Sequence, residues 1–168
     1  MEKVIIMATC MIAVLLLLTG CGKKEEPETV SFVGLANPWI ECGTLKEASE
    51  LTGFEVSMPE EIEGYPYQLI QAIKESTVQQ FYSDKEMSDP DRNVVLLRKG
   101  KGTEDISGDY NTYEKEETVT IQGMEVHLRE NGGLVYVATW TQGGYAYAID
   151  ADKGLTATET EGLVKNIK

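Results

Sequence analysis

Basic residues, histidine and cysteine are all scarce in this 168-residue chain, and each shortage excludes something. Fifteen Lys and Arg stand against 28 Asp and Glu, a net charge of −13. Nucleic acid is excluded as a partner, because its binding needs a basic surface that displaces counterions. The same excess argues against a folded domain lying flat on anionic lipid. With His127 as the one histidine, a structural zinc site built on clustered Cys and His is not expected. Long hydrophobic runs are also missing, apart from Val4 to Leu18. That run is shorter than the roughly 20 apolar residues a permanent membrane span needs.

What the short run does fit is a secretory signal. Lys3 precedes it, and Leu18-Thr19-Gly20-Cys21 closes it, with small residues before a cysteine in the pattern of a lipobox. Residues 1–20 are therefore expected to be a lipoprotein signal peptide. Cys21 is expected to carry diacylglycerol and, after cleavage, to become the first residue. Two or more acyl chains anchor stably, since each buried methylene contributes about 0.8 kcal/mol. Lys3 is opposed by Glu2, so an uncleaved N-terminal anchor helix stands as the alternative. Both place the rest of the chain outside the cytoplasm, on the cell membrane.

Removing residues 1–20 from 168 leaves 148, one domain's worth, of a size that buries roughly 70% of its unfolded surface. Cys10 would leave with the signal and Cys21 would carry lipid. Cys42 then has no partner for an intramolecular disulfide. A lone cysteine behaves as a small apolar residue unless it is reactive or pairs between molecules. Residues 21–30 hold the lipidated cysteine and a charged tether, Gly22 to Thr29. Eight flexible residues span about 15 Å. Lys23 and Lys24 suit a headgroup contact. Residues 31–168 are expected to form a single extracytoplasmic domain.

Along that domain, Asn37-Pro38-Trp39-Ile40 reads as extended, since proline disfavours helix at the residue before it. Thr44 and Glu47 form a capping box that opens a short helix through Leu51. Leu45, Ala48 and Leu51 share a face, and Gly53 follows at C′. Phe54 to Met58 alternates as a strand and ends at Pro59. Tyr67–Ile73 and Thr77–Ser83 predict a hairpin around Glu75-Ser76. Asn93–Lys99, apolar on both parities, predicts a central strand covered on both faces. Thr118–Gln122 and Met124–Glu130 flank Gly123. Asn131-Gly132-Gly133 signals a hairpin into Leu134–Thr141, and Gly143-Gly144 turns that strand into Tyr145–Asp150. A last helix from Thr158 to Ile167, with Glu161 at N3, turns Leu163, Val164 and Ile167 inward. The fold class is α+β: an antiparallel, curved β-sheet with a short N-terminal and a C-terminal helix packed on one face. A half-barrel is the alternative, and strand order stays open.

No segment carries recognisable catalytic spacing. His127 shares a strand face with Glu125 and Arg129 and reads as a surface residue, with no nucleophile implied nearby. Asp150-Ala-Asp152-Lys-Gly154 begins like a calcium loop, but position 6 is Leu155 rather than glycine. It reads instead as a strand-to-helix turn eased by Gly154. Asp89 to Asn93 fails the same test at Val94. Lys99-Gly100-Lys101-Gly102-Thr103 lacks the phosphate-loop spacing. No cofactor and no metal are expected.

Gly100 to Glu117 is long for a connection without regular structure, and such loops tend to be functional. From Glu104 onward six acidic side chains meet only Lys115, a local charge of −5. Ile106, Tyr110 and Tyr113 lie among them. Asp105, Asp109, Tyr110 and Tyr113 are the candidate partner-binding residues, since tyrosines anchor interfaces and acids steer a basic partner. The alternative is a loop pinned by its tyrosines to its own sheet.

Several stretches together carry a resemblance: Asn37-Pro38-Trp39-Ile40-Glu41, Leu45 to Phe54, Met58-Pro59-Glu60, Gly100 to Asn111, Ala138-Thr139-Trp140, Gly144-Tyr145-Ala146-Tyr147 and Leu163 to Ile167. The chain resembles lipoproteins of Gram-positive anaerobes that carry an extracytoplasmic domain of unknown function. Similar domains occur on the outer side of anti-sigma-factor-like membrane proteins. The resemblance spans most of residues 31–168 and implies a membrane-tethered outer domain, with no catalytic residue. The expected function is a non-catalytic binding or interaction module of the cell envelope, held to the membrane through Cys21 and meeting an envelope protein or peptide. An enzyme acting on cell-wall or peptide substrates by carboxylate chemistry is the alternative. Paired acids with raised pKa values in one apolar cleft would favour it.

Overall fold

The structure, a computed structural model, describes residues 37–168. The signal peptide, Cys21, the tether and the start of the domain near residue 31 lie outside the described residues. Eight strands form one open antiparallel sheet: β1 (Ile40–Cys42), β2 (Tyr67–Ile73), β3 (Thr77–Ser83), β4 (Val94–Lys101), β5 (Lys115–Ile121), β6 (Met124–Asn131), β7 (Leu134–Gln142) and β8 (Tyr145–Leu155). Helix α1 (Leu45–Thr52) follows β1, and α2 (Ala157–Asn166) follows β8. Among the described residues sheet outweighs helix, 47% against 14%, so the helices dress a sheet rather than share the architecture with it. No helix among the described residues is long and apolar enough to cross a membrane.

The spatial order is β1-β2-β3-β4-β8-β7-β6-β5. Two meanders therefore meet where β4 pairs with β8, joining Val95 to Ala151 and Leu97 to Ile149. The central position of β4 matches its pattern: Val95 and Leu97 are buried on one face, while Leu96 and Arg98 are half-buried on the other.

Away from the register shifts at Arg129/Glu130 and Val135/Val137, residues line up in rows across the sheet. One row runs Ala72, Val78, Lys99, Tyr147, Trp140, Val126, Val119. It is apolar but for Lys99. The adjacent row runs Gln71, Gln79, Arg98, Ala148, Thr139, His127, Thr118, and it points to the opposite face. Ala48 of α1 and Leu163 and Val164 of α2, with Ile167 just beyond, join the apolar cluster on the first face. Both helices therefore pack on the same side.

The hairpins form as the turn residues predict. Glu75 and Gln122 take positive φ in two of them, and Gly132-Gly133 and Gly143-Gly144 in the other two. Thr44 caps α1 by accepting from the Glu47 amide, and Gly53 closes it in the left-handed region.

Three expectations need correction. Phe54–Met58 is not a strand of the sheet. It keeps the alternation, with Phe54 and Met58 buried. Among the described residues its backbone pairs reciprocally, Ser57 with Lys168 at 2.9 Å each way. The last helix is capped two residues earlier than predicted, by Thr156 with Glu159 at N3. Two overlapping Thr-x-x-Glu boxes occur here, and the first one wins because β8 runs on to Leu155. Consequently Asp150 to Gly154 is not a strand-to-helix turn but lies within β8, opposite Val135 and Val137, where the register shifts. Gly154 has φ +69°, and a Cβ there would sit 2.8 Å from that of Leu134, so the bulge requires glycine.

Candidate functional site

The acidic segment is shorter as a loop than its sequence implies. β4 extends to Lys101 and β5 begins at Lys115, leaving residues 102–114 as the connection. It packs on the face opposite the helices. Arg98, projecting from β4, donates to the Ile106 carbonyl at 2.9 Å and to the Ser107 carbonyl, and its Nε donates to Gln79 at 3.0 Å. Burial lowers the Arg98 pKa from its ordinary value, with Asp150 opposing. Gly108 (φ +70°) fits over this guanidinium, since a Cβ would fall 3.0 Å from Arg98 Nη1.

Arg129 on β6 holds the same loop by its carboxylates. Its guanidinium pairs with Asp105 and lies 3.7 Å from Asp109. Asp105 also accepts from the Ser107 amide at 2.8 Å and the Ser107 hydroxyl at 2.6 Å. Burial would raise the Asp105 pKa, but these hydrogen bonds and Arg129 prevail and hold it below its ordinary value. Asp109 accepts from the Asn111 amide at 3.1 Å and the Asn111 side chain at 2.7 Å, and only 7% of its side chain is exposed. Tyr113 packs on Tyr136, with ring centroids 6.2 Å apart. Burial and a hydrogen bond with Asp109 push its hydroxyl pKa up to about 12.

Of the four predicted site residues, then, Asp109 and Tyr113 turn toward the sheet, and Asp105, its side chain 41% exposed, reaches back to Arg129; all three brace the loop. Tyr110 alone projects into solvent, 96% exposed. A cleft of about 400 Å³ opens beside this brace, lined by Asp109, Asn111, Tyr113, Asn131, Tyr136 and Asp150 among others. Burial lifts the Asp150 pKa to about 6, with Asp109 and Asp152 adding to the rise and Arg98 and Arg129 opposing it. In the sequence Asp150 reads as the end of a strand and the start of a failed calcium loop; its perturbed pKa follows from its place between β4 and β7, which nothing local encodes. Among the described residues no three His, Cys, Asp or Glu side chains are grouped to hold a metal.

His127 lies on the loop-covered face, with Nε2 at 3.2 Å from Glu116. Cys42 is half-buried and packs against the core. Burial, then the Glu47 charge, raise its thiol pKa, which reduces its thiolate fraction and its reactivity.

A second cleft, about 650 Å³, lies on the helix-bearing face, and Lys46, Glu55, Lys99, Tyr145, Tyr147 and Lys168 contribute to its walls. Lys99 is only 6% exposed. Its Nζ donates to the Glu55 carbonyl at 2.7 Å and lies 4.6 to 5.6 Å from the ring centroids of Tyr145, Phe54 and Tyr147. The sequence placed Lys99 at the end of a strand and at the start of a basic, glycine-rich run. Its parity with Val95 and Leu97 was the signal that it turns inward.

No family model matches the chain, and comparison with curated proteins and with solved structures likewise found no match.

Proposed function

We propose that this chain is a lipid-anchored extracytoplasmic binding module of the cell envelope, non-catalytic, tethered through Cys21 and residues 21–30. Its α+β domain, on a curved sheet, presents the 102–114 loop to an envelope protein or peptide. The observation that carries this reading is Tyr110: a fully solvated aromatic side chain on a loop whose backbone is held by Arg98, whose Asp105 and Asp109 are tied to Arg129, and whose Tyr113 packs on Tyr136. A pre-braced loop loses little entropy on binding, which is how rigid presentation gains affinity. An exposed tyrosine supplies large contact area at low entropic cost. The lipobox and the resemblance to envelope lipoproteins support the address.

Photo-crosslinking in cells tests the reading. A benzophenone amino acid at Tyr110, with Cys21 intact, is expected to trap one defined envelope protein or peptide. The same group at Glu50, on α1, should not. Equal yields of the same adducts from both positions, or none from Tyr110, would overturn the loop as the binding surface.

A second reading, an enzyme acting on cell-wall or peptide substrates by carboxylate chemistry, has one observation in its favour. Asp150, with its pKa near 6, shares a cleft with Asp109. A carboxyl group whose pKa is raised toward neutrality beside a second carboxyl group is the kind of pair that can divide acid and base roles. Release of soluble fragments from wall material or peptides by the wild-type protein, abolished in Asp150→Asn, would favour this reading over the first.

A further inference from the structure

Lys99 is out of place by ordinary physical rules. It occupies the one charged position in an otherwise apolar row, and a lysine this deeply buried is normally paired with a carboxylate. Among the described residues no Asp or Glu lies within ion-pair distance of Lys99. Its ammonium has three N–H donors, and the structure assigns it one acceptor, the Glu55 carbonyl. The rings of Phe54, Tyr145 and Tyr147 offset part of the desolvation cost by cation–π attraction. They supply no counter-charge.

The surroundings add to the anomaly. In a chain of net charge −13, the lining of this cleft gathers Lys46, Lys99 and Lys168 against Glu55, whose charge acts on Lys99, while Lys46 also lies 3.9 Å from Glu50. Lys101 stands near its edge, 5.9 Å from the Phe54 ring centroid. A locally positive, partly apolar recess in an acidic protein focuses anions. It is not suited to a cationic ligand, since the protein's own ammonium already occupies the aromatic surround.

We propose that this cleft binds a small ligand carrying a single anionic group, a carboxylate or phosphate, on an apolar body. The anion sits against Lys99, and Lys46 and Lys168 add charge at the rim. The body lies along Val56 and Tyr145. The site is on the face opposite the Tyr110 loop, so it stands or falls independently of the proposed partner surface.

Titration of the full chain in neutral detergent at constant ionic strength tests this, with benzoate, inorganic phosphate and benzyl alcohol as probes. Benzoate is expected to bind saturably and to shift the Tyr145 and Tyr147 ring resonances. Benzyl alcohol, isosteric but neutral, is expected to bind at least tenfold more weakly. Phosphate displacing benzoate would assign the anionic group the main share of recognition. Phosphate failing to displace it would assign the carboxylate with its apolar body. Lys99→Met is expected to weaken benzoate binding at least tenfold, with Lys99→Arg retaining most of it. Should Lys99→Met fail to fold, Lys46→Met combined with Lys168→Met supplies the test, with an expected loss of severalfold. Benzoate binding that is unchanged in these variants, or no anion binding by the wild type, would overturn the proposal and leave Lys99 as a purely structural cation.

Discussion

The two faces of this sheet are covered by different physics. On one, two helices and the Phe54–Met58 segment close over Val78, Val95, Leu97 and Ile149, all at most 1% exposed. On the other, the cover is a loop with little apolar content, fixed by Arg98 through backbone carbonyls and by Arg129 through carboxylates. The first depends on burial, which is non-directional and insensitive to pH. The second depends on a few directional contacts, each of which a single substitution or a change in protonation can remove. Leu97 and Arg98 are neighbours in sequence and point to opposite covers, so the comparison can be made within one dipeptide.

The largest effect is expected at Leu97. Leu97→Ala should lower global stability by about 2–5 kcal/mol, as buried leucine truncations do, with both covers loosening together in denaturant melts. Arg98→Met should cost less, about 1–3 kcal/mol, because it strips donors from two carbonyls rather than opening the core. Its diagnostic feature is locality: limited proteolysis should cut within residues 102–114 while the sheet stays intact. Equal global destabilisation by the two variants would erase the distinction between the faces.

The loop-covered face should contribute two pH slopes of opposite sign, from two acids shifted in opposite directions. Asp105 is held below its ordinary 3.8. Its contribution is therefore present above that value and is lost as pH falls below it. Asp150 is raised from 3.8 to about 6. The folded state keeps a proton there that the unfolded chain has released, so stability falls as pH rises from about 4 to about 6. Urea midpoints measured from pH 3 to 8 should show both slopes. Asp150→Asn should flatten the curve between pH 4 and 7, and Asp105→Asn should mute the loss below pH 4 while lowering stability at neutrality. The smallest effect belongs to Tyr110→Ala, expected within about 0.5 kcal/mol of wild type while adducts at the partner surface disappear.

Much of the sheet was legible because its signals are local. Alternation marked β2 and β3 to the residue, and Gly-Gly pairs marked two turns. The pairing of β4 with β8 was not legible, since it joins residues about fifty apart and nothing local encodes it. Phe54–Met58 carried a strand's alternation without a place in the ladder, so burial periodicity and sheet membership came apart there. The cap at Thr156 was ambiguous because two capping boxes overlap, and only the length of β8 chooses between them. In the loop, the sequence singled out four residues but could not tell which way they faced. Asp105 and Asp109 find Arg129, twenty or more residues downstream, and Tyr113 finds Tyr136. Tyr110 finds no such partner among the described residues, and stays in solvent.

Amide hydrogen exchange across residues 94–114 of Arg98→Met against wild type tests the contrast between the faces most directly. In the wild type the Ser107, Asp109 and Asn111 amides, each bonded to a side-chain oxygen, should exchange more slowly than solvated loop amides. In Arg98→Met they should lose that protection while the β4 amides of Leu97 and Lys99 keep theirs. Loss of protection in β4 and loop together, or a wild-type loop that already exchanges freely, would contradict the account.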